Sequence, residues 1–189
     1  AFLTALFTGL RLGSVYALVA LGYTMVYGII KLINFAHGDF IMVGAYALFF
    51  TVPVLRAAGA PAWLAVIAAV LACAAVGMVT ELAAYRPVRK TGTNMTALIT
   101  AIAVSLILEN LAQAIPAIGP NPRTVASIFA AGGISLAGAT LSWATIITIA
   151  VSLVIMLILY GFTQKTRLGR AMRAVSEDKQ AATLMGINV

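Results

Sequence analysis

Asn34-Phe35-Ala36-His37-Gly38-Asp39 separates two long apolar runs, residues 12–30 and 40–55. It contains the only histidine of the chain, and nothing else in the first third is so polar. If both runs enter a bilayer, this link lies at a membrane surface or is buried among helices. Non-helical backbone at membrane depth is tolerated only inside protein or beside a water-filled cavity. The stretch therefore predicts a membrane protein whose function follows a polar path through it.

The composition indicates the same class of protein. Hydrophobic residues make up 62% of the chain and charged residues 9%, whereas a soluble domain has about 45–50% and about 25%. A spanning helix needs about 20 mainly apolar residues, and several segments meet that requirement. We predict an all-α polytopic membrane helix bundle with about five spanning segments, in which residues 1–189 form a single transmembrane domain.

Three further apolar runs complete the five crossings, residues 62–84, 94–118 and 142–162. Pro53, Gly59 and Pro61 predict a short loop after the second run, and residues 85–92 are predicted to form a basic turn. Asp39 stands where a carboxylate can cap the N-terminus of the second helix. An ionisable residue at the depth of Glu109 is expected to face the bundle interior or a cavity.

The loop between the fourth and fifth runs carries a hairpin signal. Residues 124–129 and 134–141 are rich in β-branched and alternating residues, and they flank the segment 130–133, which contains two glycines. This pattern predicts a small external β-hairpin.

The last segment, residues 164–189, is basic and differs from the rest of the chain. We predict two short helices outside the bilayer, the first over residues 168–175. Ser176 is expected to cap the second helix, with Glu177 and Asp178 in its first turn. Gly186 then fits as the C-terminal stop of that helix.

The net charge of +7 is interpreted as a signal for the orientation of the chain in the membrane, because Lys and Arg accumulate on the cytoplasmic side of membrane helices. Aromatic-interleaved basic patches are absent, so no nucleic-acid partner is expected. Alternating crossings put three basic residues outside, Arg11, Arg56 and Arg123. They put nine inside, Lys31, Arg86, Arg89, Lys90, Lys165, Arg167, Arg170, Arg173 and Lys179. The N-terminus is then external and the C-terminus cytoplasmic.

Neither enzymatic nor metal chemistry is indicated. Cys73 stands alone in an apolar run, so it forms no disulfide within the chain and no thiolate cluster. His37 has no second His or Cys nearby to complete a metal site. No Ser/His/Asp arrangement is apparent, and no G-x-x-x-x-G-K-[ST] phosphate loop is present. If ATP drives the protein, another subunit binds the nucleotide.

Five blocks, in order along the chain, carry a resemblance to a known family. They are residues 13–18, residues 22–30, Ile33-Asn34-Phe35-Ala36-His37-Gly38-Asp39, Tyr85-Arg86-Pro87-Val88-Arg89, and Gly169-Arg170-Ala171-Met172-Arg173-Ala174 together with Glu177-Asp178 and Leu184-Met185-Gly186-Ile187-Asn188. Together they resemble the permease subunit of branched-chain amino acid ABC importers. That family continues through further membrane helices, so the chain is expected to be a large N-terminal part of such a permease.

The resemblance implies an assembly in a bacterial inner membrane. It implies a second related permease, two cytoplasmic ATPases that hold ATP and Mg²⁺, and an external substrate-binding protein. No cofactor is expected in this chain. The segment 164–189 then corresponds to the cytoplasmic coupling segment, with candidate ATPase-coupling residues Arg167, Gly169, Arg170, Arg173, Glu177, Asp178 and Gly186. The alternative is a solvated tail that binds anionic lipid headgroups.

The link itself has two interpretations. As a pathway or hinge element, Asn34, His37 and Asp39 would supply polar contacts, and Gly38 would permit an unusual backbone. Alternatively, these residues only cap and break helices. A rival function is a proton-coupled secondary transporter that uses His37, Asp39 and Glu109. A permease for amides or urea and a membrane scaffold without a pathway also fit the sequence.

Overall fold

A computed structural model describes residues 2–31, 33–91, 93–119, 121, 123–129, 132–136 and 139–187. Its elements, in chain order, are α1 (Phe2–Ile30), α2 (His37–Ala57), α3 (Leu64–Thr80), a π-helical turn (Glu81–Tyr85), α4 (Arg86–Thr91), α5 (Asn94–Ala114), β1 (Gly133–Leu136), β2 (Ala139–Ser142), α6 (Trp143–Lys165), α7 (Arg167–Glu177) and α8 (Lys179–Leu184).

The predicted membrane helix bundle is confirmed. Within the described residues, five helical segments are long and apolar enough to cross a bilayer: Phe2–Gly28, His37–Ala57, Leu64–Val88, Met95–Ala114 and Trp143–Lys165. Many of their apolar side chains are exposed, for example Leu71 at 64% and Leu157 at 59%. Such exposure is expected of helices that face lipid or further helices rather than water.

Two compact units make up the chain, and the first consists of Ala1–Lys31 together with Phe129–Val189. In this unit α1 packs against α6 and α7. The Ser142 hydroxyl accepts a hydrogen bond from the Thr145 amide at 3.3 Å, which caps the start of α6.

The small hairpin is present, but the predicted position of its strands is wrong. β1 and β2 pair antiparallel, with Gly133 opposite Ser142 and Leu136 opposite Ala139. Both strands therefore fall within or next to residues 134–141, the stretch that was predicted to form only the second strand of the hairpin. Residues 124–129 are not a strand, and part of the expected turn, residues 130–131, lies outside the described residues. Gly132 has φ of 138°, a conformation that favours glycine, so the strand begins only after it.

The second unit is Leu32–Ile128, in which α2 packs along α3 and also contacts α5. Val52 and Ala65 are completely buried there. The Cys73 thiol donates to the Phe40 carbonyl at 3.2 Å, and a Cβ added to Gly44 would lie 3.0 Å from that sulfur. Small residues thus let α2 and α3 approach closely. Glu109, which was expected to face the bundle interior or a cavity, is exposed in this unit.

Two predicted interruptions differ in the structure. Pro53 lies inside α2 rather than in a loop, and the turn comes later, at Gly59, whose φ is 69°. The predicted turn at 85–92 is instead helical through Thr91, and residue 92 lies outside the described residues. Pro87 supplies no amide and its ring crowds the carbonyl four residues earlier. The wider π-helical turn just before it accommodates this break in the hydrogen-bond pattern without ending the helix.

Candidate functional site

The link before α2 is held by the side chain of Asn34. Its Oδ1 accepts hydrogen bonds from the Ala36 amide at 3.2 Å and from the Tyr85 hydroxyl at 2.9 Å, while its carbonyl accepts from the His37 amide at 3.2 Å. The contact with Ala36 is the local side-chain bond by which Asn favours turns over helix. Asn34 therefore shapes the entry to α2 and fastens it to the π-helical turn.

Asp39 is buried, with 6% of its surface exposed. The expectation that it caps α2 is wrong, because the helix begins at His37 and Ala36 takes the N-cap position without a side-chain bond. Asp39 lies in the first turn instead, and its Oδ2 accepts a 2.5 Å hydrogen bond from the Ser105 hydroxyl of α5. Burial of a carboxylate is costly unless it is hydrogen-bonded, and the positive end of the helix dipole also favours it here.

The other two candidate residues of the link, Gly38 and His37, differ in their surroundings. Gly38 lies within α2 without a positive φ, and a Cβ there would meet nothing within 4 Å. The prediction that Gly38 permits an unusual backbone is therefore wrong. A left-handed backbone conformation is found instead at Lys31, just after the end of α1, where φ is 57°. His37 is half-buried and engaged with a neighbour.

Tyr85 and Ser105 complete the site, although the sequence did not single them out as site residues. They contact the link from 51 and 66 residues away in the chain. Tyr85 stands in a family-like block, but no spacing rule connects it to Asn34. Together, Asn34, Tyr85, Asp39 and Ser105 form a cluster, here called the link clasp, that joins the start of α2 to α5 and the π-helical turn.

The C-terminal segment forms the two predicted short helices, α7 and α8. The Asp178 carboxylate caps α8 by accepting from the amides of Gln180 at 2.8 Å and Ala181 at 3.1 Å. The predicted cap at Ser176 is wrong, since its hydroxyl donates to the Arg173 carbonyl within α7. Asp178 replaces it because its backbone is extended, at φ −148° and ψ 111°, as a cap requires.

The predicted helix stop at Gly186 is confirmed. Its φ is 81°, and its amide donates to the Thr183 carbonyl at 3.0 Å while the Ile187 amide donates to the Ala182 carbonyl. These bonds satisfy the last carbonyls of α8 in the manner of a glycine C-cap.

Gly169 lies against the end of α6. A Cβ at this position would come within 2.4 Å of the carbonyl oxygens of Phe162 and Thr163, so only glycine allows this approach. The Gly169 amide also donates to the Thr166 hydroxyl at 3.0 Å, which caps α7. Gly169 is buried and acts within the chain rather than on its surface.

Arg173 reinforces the same junction. Its Nη1 donates to Oε1 of Gln164 at 2.5 Å, and its Nη2 lies 3.5 Å from the Gln164 carbonyl. A guanidinium at the C-terminal end of a helix also suits the helix dipole. Gly169 and Arg173 together fix α7 to the end of α6, and this pair is here called the α6–α7 bracket.

The remaining coupling candidates are open to a partner. Arg167, Arg170 and Glu177 are exposed. On α7 and at the end of α8, apolar side chains are also exposed, at Leu168 (64%), Leu184 (87%) and Met185 (83%). A charged helix with exposed apolar neighbours is typical of a protein contact surface. In the described part of the chain, no group of three or more His, Cys, Asp or Glu residues gathers as a metal site.

Comparison with known proteins bears on this arrangement. The family model described as "branched-chain amino acid transport system / permease component" matches residues 5–189. The chain belongs to this family. With five apolar helices among its described residues, it is a multi-pass membrane protein. The family blocks seen in the sequence include both the link and the C-terminal segment, so the family assignment covers both parts of the site.

The chain is similar over almost its whole length to curated permeases. It is 39% identical over 200 residues to the high-affinity branched-chain amino acid transport system permease protein BraD of Pseudomonas aeruginosa. It is 40% identical over 198 residues to the LivH permease proteins of Salmonella typhimurium and Escherichia coli. Each alignment covers 99% of this chain but only 63% of the relative. No solved structure matches the chain significantly.

Proposed function

We propose that this chain is the larger part of a permease subunit that moves branched-chain amino acids inward across a bacterial inner membrane, driven by separate ATPases. The family match and the names of the relatives support the substrate class. The observation that carries the coupling is the exposed, charged α7, held to the end of spanning helix α6 by Gly169 and Arg173.

The proposed mechanism requires a rigid connection between the ATPases and the membrane-spanning helices. Two cytoplasmic ATPases, holding ATP and Mg²⁺, contact the exposed residues of α7 and α8 and displace the helices as they close. The α6–α7 bracket transmits that displacement to α6, because a close backbone contact and a guanidinium hydrogen bond allow little movement of α7 relative to α6. A second related permease and an external binding protein complete the importer. In this topology, Lys31 and the C-terminal segment face the cytoplasm and the hairpin faces outward.

The test is reconstituted transport by the full-length permease with its companion permease, ATPases and binding protein. We expect ATP-dependent uptake of labelled leucine. Paired replacement of Arg170 and Glu177 by Ala should abolish both uptake and substrate-stimulated ATP hydrolysis without preventing assembly. Replacement of Arg11, an exposed arginine on α1, serves as the charge-loss control. Unchanged uptake and hydrolysis in the paired variant would refute coupling through α7.

A second candidate is a proton-coupled transporter, which the burial of the Asp39 carboxylate favours, since ionisable residues within spanning segments often serve proton relays. Uptake driven by a pH gradient in the absence of ATP would select it over the first proposal. Transport of amides or urea in preference to leucine would retain the ATP-driven mechanism and change the substrate.

A further inference from the structure

A cavity of about 310 Å³ lies in the Leu32–Ile128 unit, between the middle of α2 and the segment that follows α5. Its volume is at the lower end of the range for small-molecule sites, about 300–1,000 Å³. The lining residues are Met42, Ala45, Tyr46, Phe49, Asn121, Arg123 and Val125. None of them belongs to the link clasp or to the α6–α7 bracket.

The floor of the cavity is apolar and aromatic. Met42, Tyr46 and Phe49 are spaced by four and three residues, so they lie on one face of α2. The Phe49 ring meets the Phe50 ring edge to face, with centroids 5.2 Å apart. This face lies around the midpoint of α2, and transporters commonly hold substrate near the middle of the bilayer.

The rim of the cavity is cationic and fixed in place. The Nε of Arg123 donates to the Ile118 carbonyl at 3.0 Å, a bond that does not use the terminal Nη groups of the guanidinium. The other end of the segment is tied to α2, because the Arg56 guanidinium donates to the Ser127 carbonyl. The segment that carries Arg123 is therefore held by hydrogen bonds at two points, Arg123 and Ser127.

The apolar floor and the guanidinium together favour a ligand that has both a carboxylate and an aliphatic group. A guanidinium binds a carboxylate through paired, charge-assisted hydrogen bonds, and an apolar floor accepts an aliphatic group. Among the described lining residues there is no acidic side chain, so an ammonium group would meet only the Asn121 carboxamide oxygen, the Tyr46 hydroxyl or an aromatic face. Carboxylate recognition should thus dominate over ammonium recognition.

We propose that this cavity binds an aliphatic α-amino acid, with its carboxylate on Arg123 and its side chain against the apolar face of α2. The role of this site as a station on the transport path rests on the proposed function. Binding itself does not, because it can be measured without ATP or any partner subunit.

The experiment measures protection of a cysteine in the cavity. In full-length permease carrying Cys73→Ser, Ala45→Cys is labelled with a water-soluble maleimide in membrane vesicles. The competitors are leucine, its 2-oxo acid, which lacks the ammonium group, and leucinol, which lacks the carboxylate. Ala58→Cys, exposed just after α2 and outside the cavity, is the matched control position.

We expect leucine and the 2-oxo acid to slow labelling at Ala45→Cys and leucinol to have no effect, with labelling at Ala58→Cys unchanged by all three. Arg123→Gln should raise the half-protecting leucine concentration at least about tenfold, which corresponds to about 1.4 kcal/mol. Equal protection by leucinol, or protection that Arg123→Gln does not weaken, would overturn the proposal.

Uptake separates this proposal from the proposed function. ATP-driven leucine uptake without any protection at Ala45→Cys refutes the site and leaves the transport function standing. Protection that depends on Arg123, in a permease that shows no ATP-driven uptake, supports the site and contradicts the proposed function.

Discussion

Asp39 of α2 accepts a 2.5 Å hydrogen bond from the hydroxyl of Ser105 on α5, and packing leaves only 6% of the aspartate surface exposed. Helices in lipid gain little from the hydrophobic effect when they associate, so polar bonds and close packing hold them together. This bond therefore fixes the start of α2 against α5, at the last residue of the link that the sequence singles out.

Ser105→Ala should destabilise the permease, because it leaves a buried carboxylate without this donor. A loss of about 1–3 kcal/mol is expected for such a group. Ser105→Thr keeps the hydroxyl and should retain most of the stability. Unfolding of the detergent-solubilised protein by denaturant measures both variants, and an equal loss for Ala and Thr would contradict the assigned role of the hydroxyl.

Tyr85→Phe removes the hydroxyl that donates to Asn34 and should cost about 0.5–1.5 kcal/mol of stability. The loss should depend on Asn34, so Tyr85→Phe combined with Asn34→Ala should cost less than the sum of the single variants. Denaturant unfolding in detergent measures the cycle. Tyr160→Phe, at a tyrosine that is 62% exposed, is the control. Additive losses in the double variant would show that the bond contributes nothing.

Gly169→Ala should disrupt the α6–α7 bracket, because the new Cβ would lie 2.4 Å from two backbone oxygens. Overpacking of this kind costs about 1–3 kcal/mol, and we expect substrate-stimulated ATP hydrolysis by the assembled importer to fall sharply. Gly161→Ala is the matched control, since a Cβ at that position meets nothing within 4 Å. Normal stimulation in Gly169→Ala would mean that the bracket does not transmit force.

Asp178→Ala should loosen α8 by removing its cap, at a cost of about 0.5–2 kcal/mol. Hydrogen exchange at the amides of residues 180–184 should then quicken, whereas Asp178→Asn should preserve much of the protection. Ser176→Ala tests the alternative cap that the sequence predicts, and it should leave exchange in α8 unchanged. Faster exchange in Ser176→Ala alone would reverse the assignment.

The sequence predicted the five spans and the two C-terminal helices well, because apolar run length and helix stop signals are local properties. Gly186 is an example, since a glycine after a short helical segment is sufficient to indicate the C-cap. Prediction from local sequence failed where more than one residue was suited to the same structural role, such as the N-cap of a helix. Ser176 and Asp178 both suit an N-cap, and the backbone conformation at Asp178 decided between them.

By itself the sequence determined the membrane class, the number of crossings and the family to which the chain belongs, since these depend on composition and on ordered blocks of residues. Only the tertiary structure decided that Tyr85 and Ser105 hold the link, that Gly169 is a contact within the chain, and that Arg123 borders a cavity on α2. Contacts between residues far apart in the chain depend on how helices pack, and no spacing pattern encodes that packing.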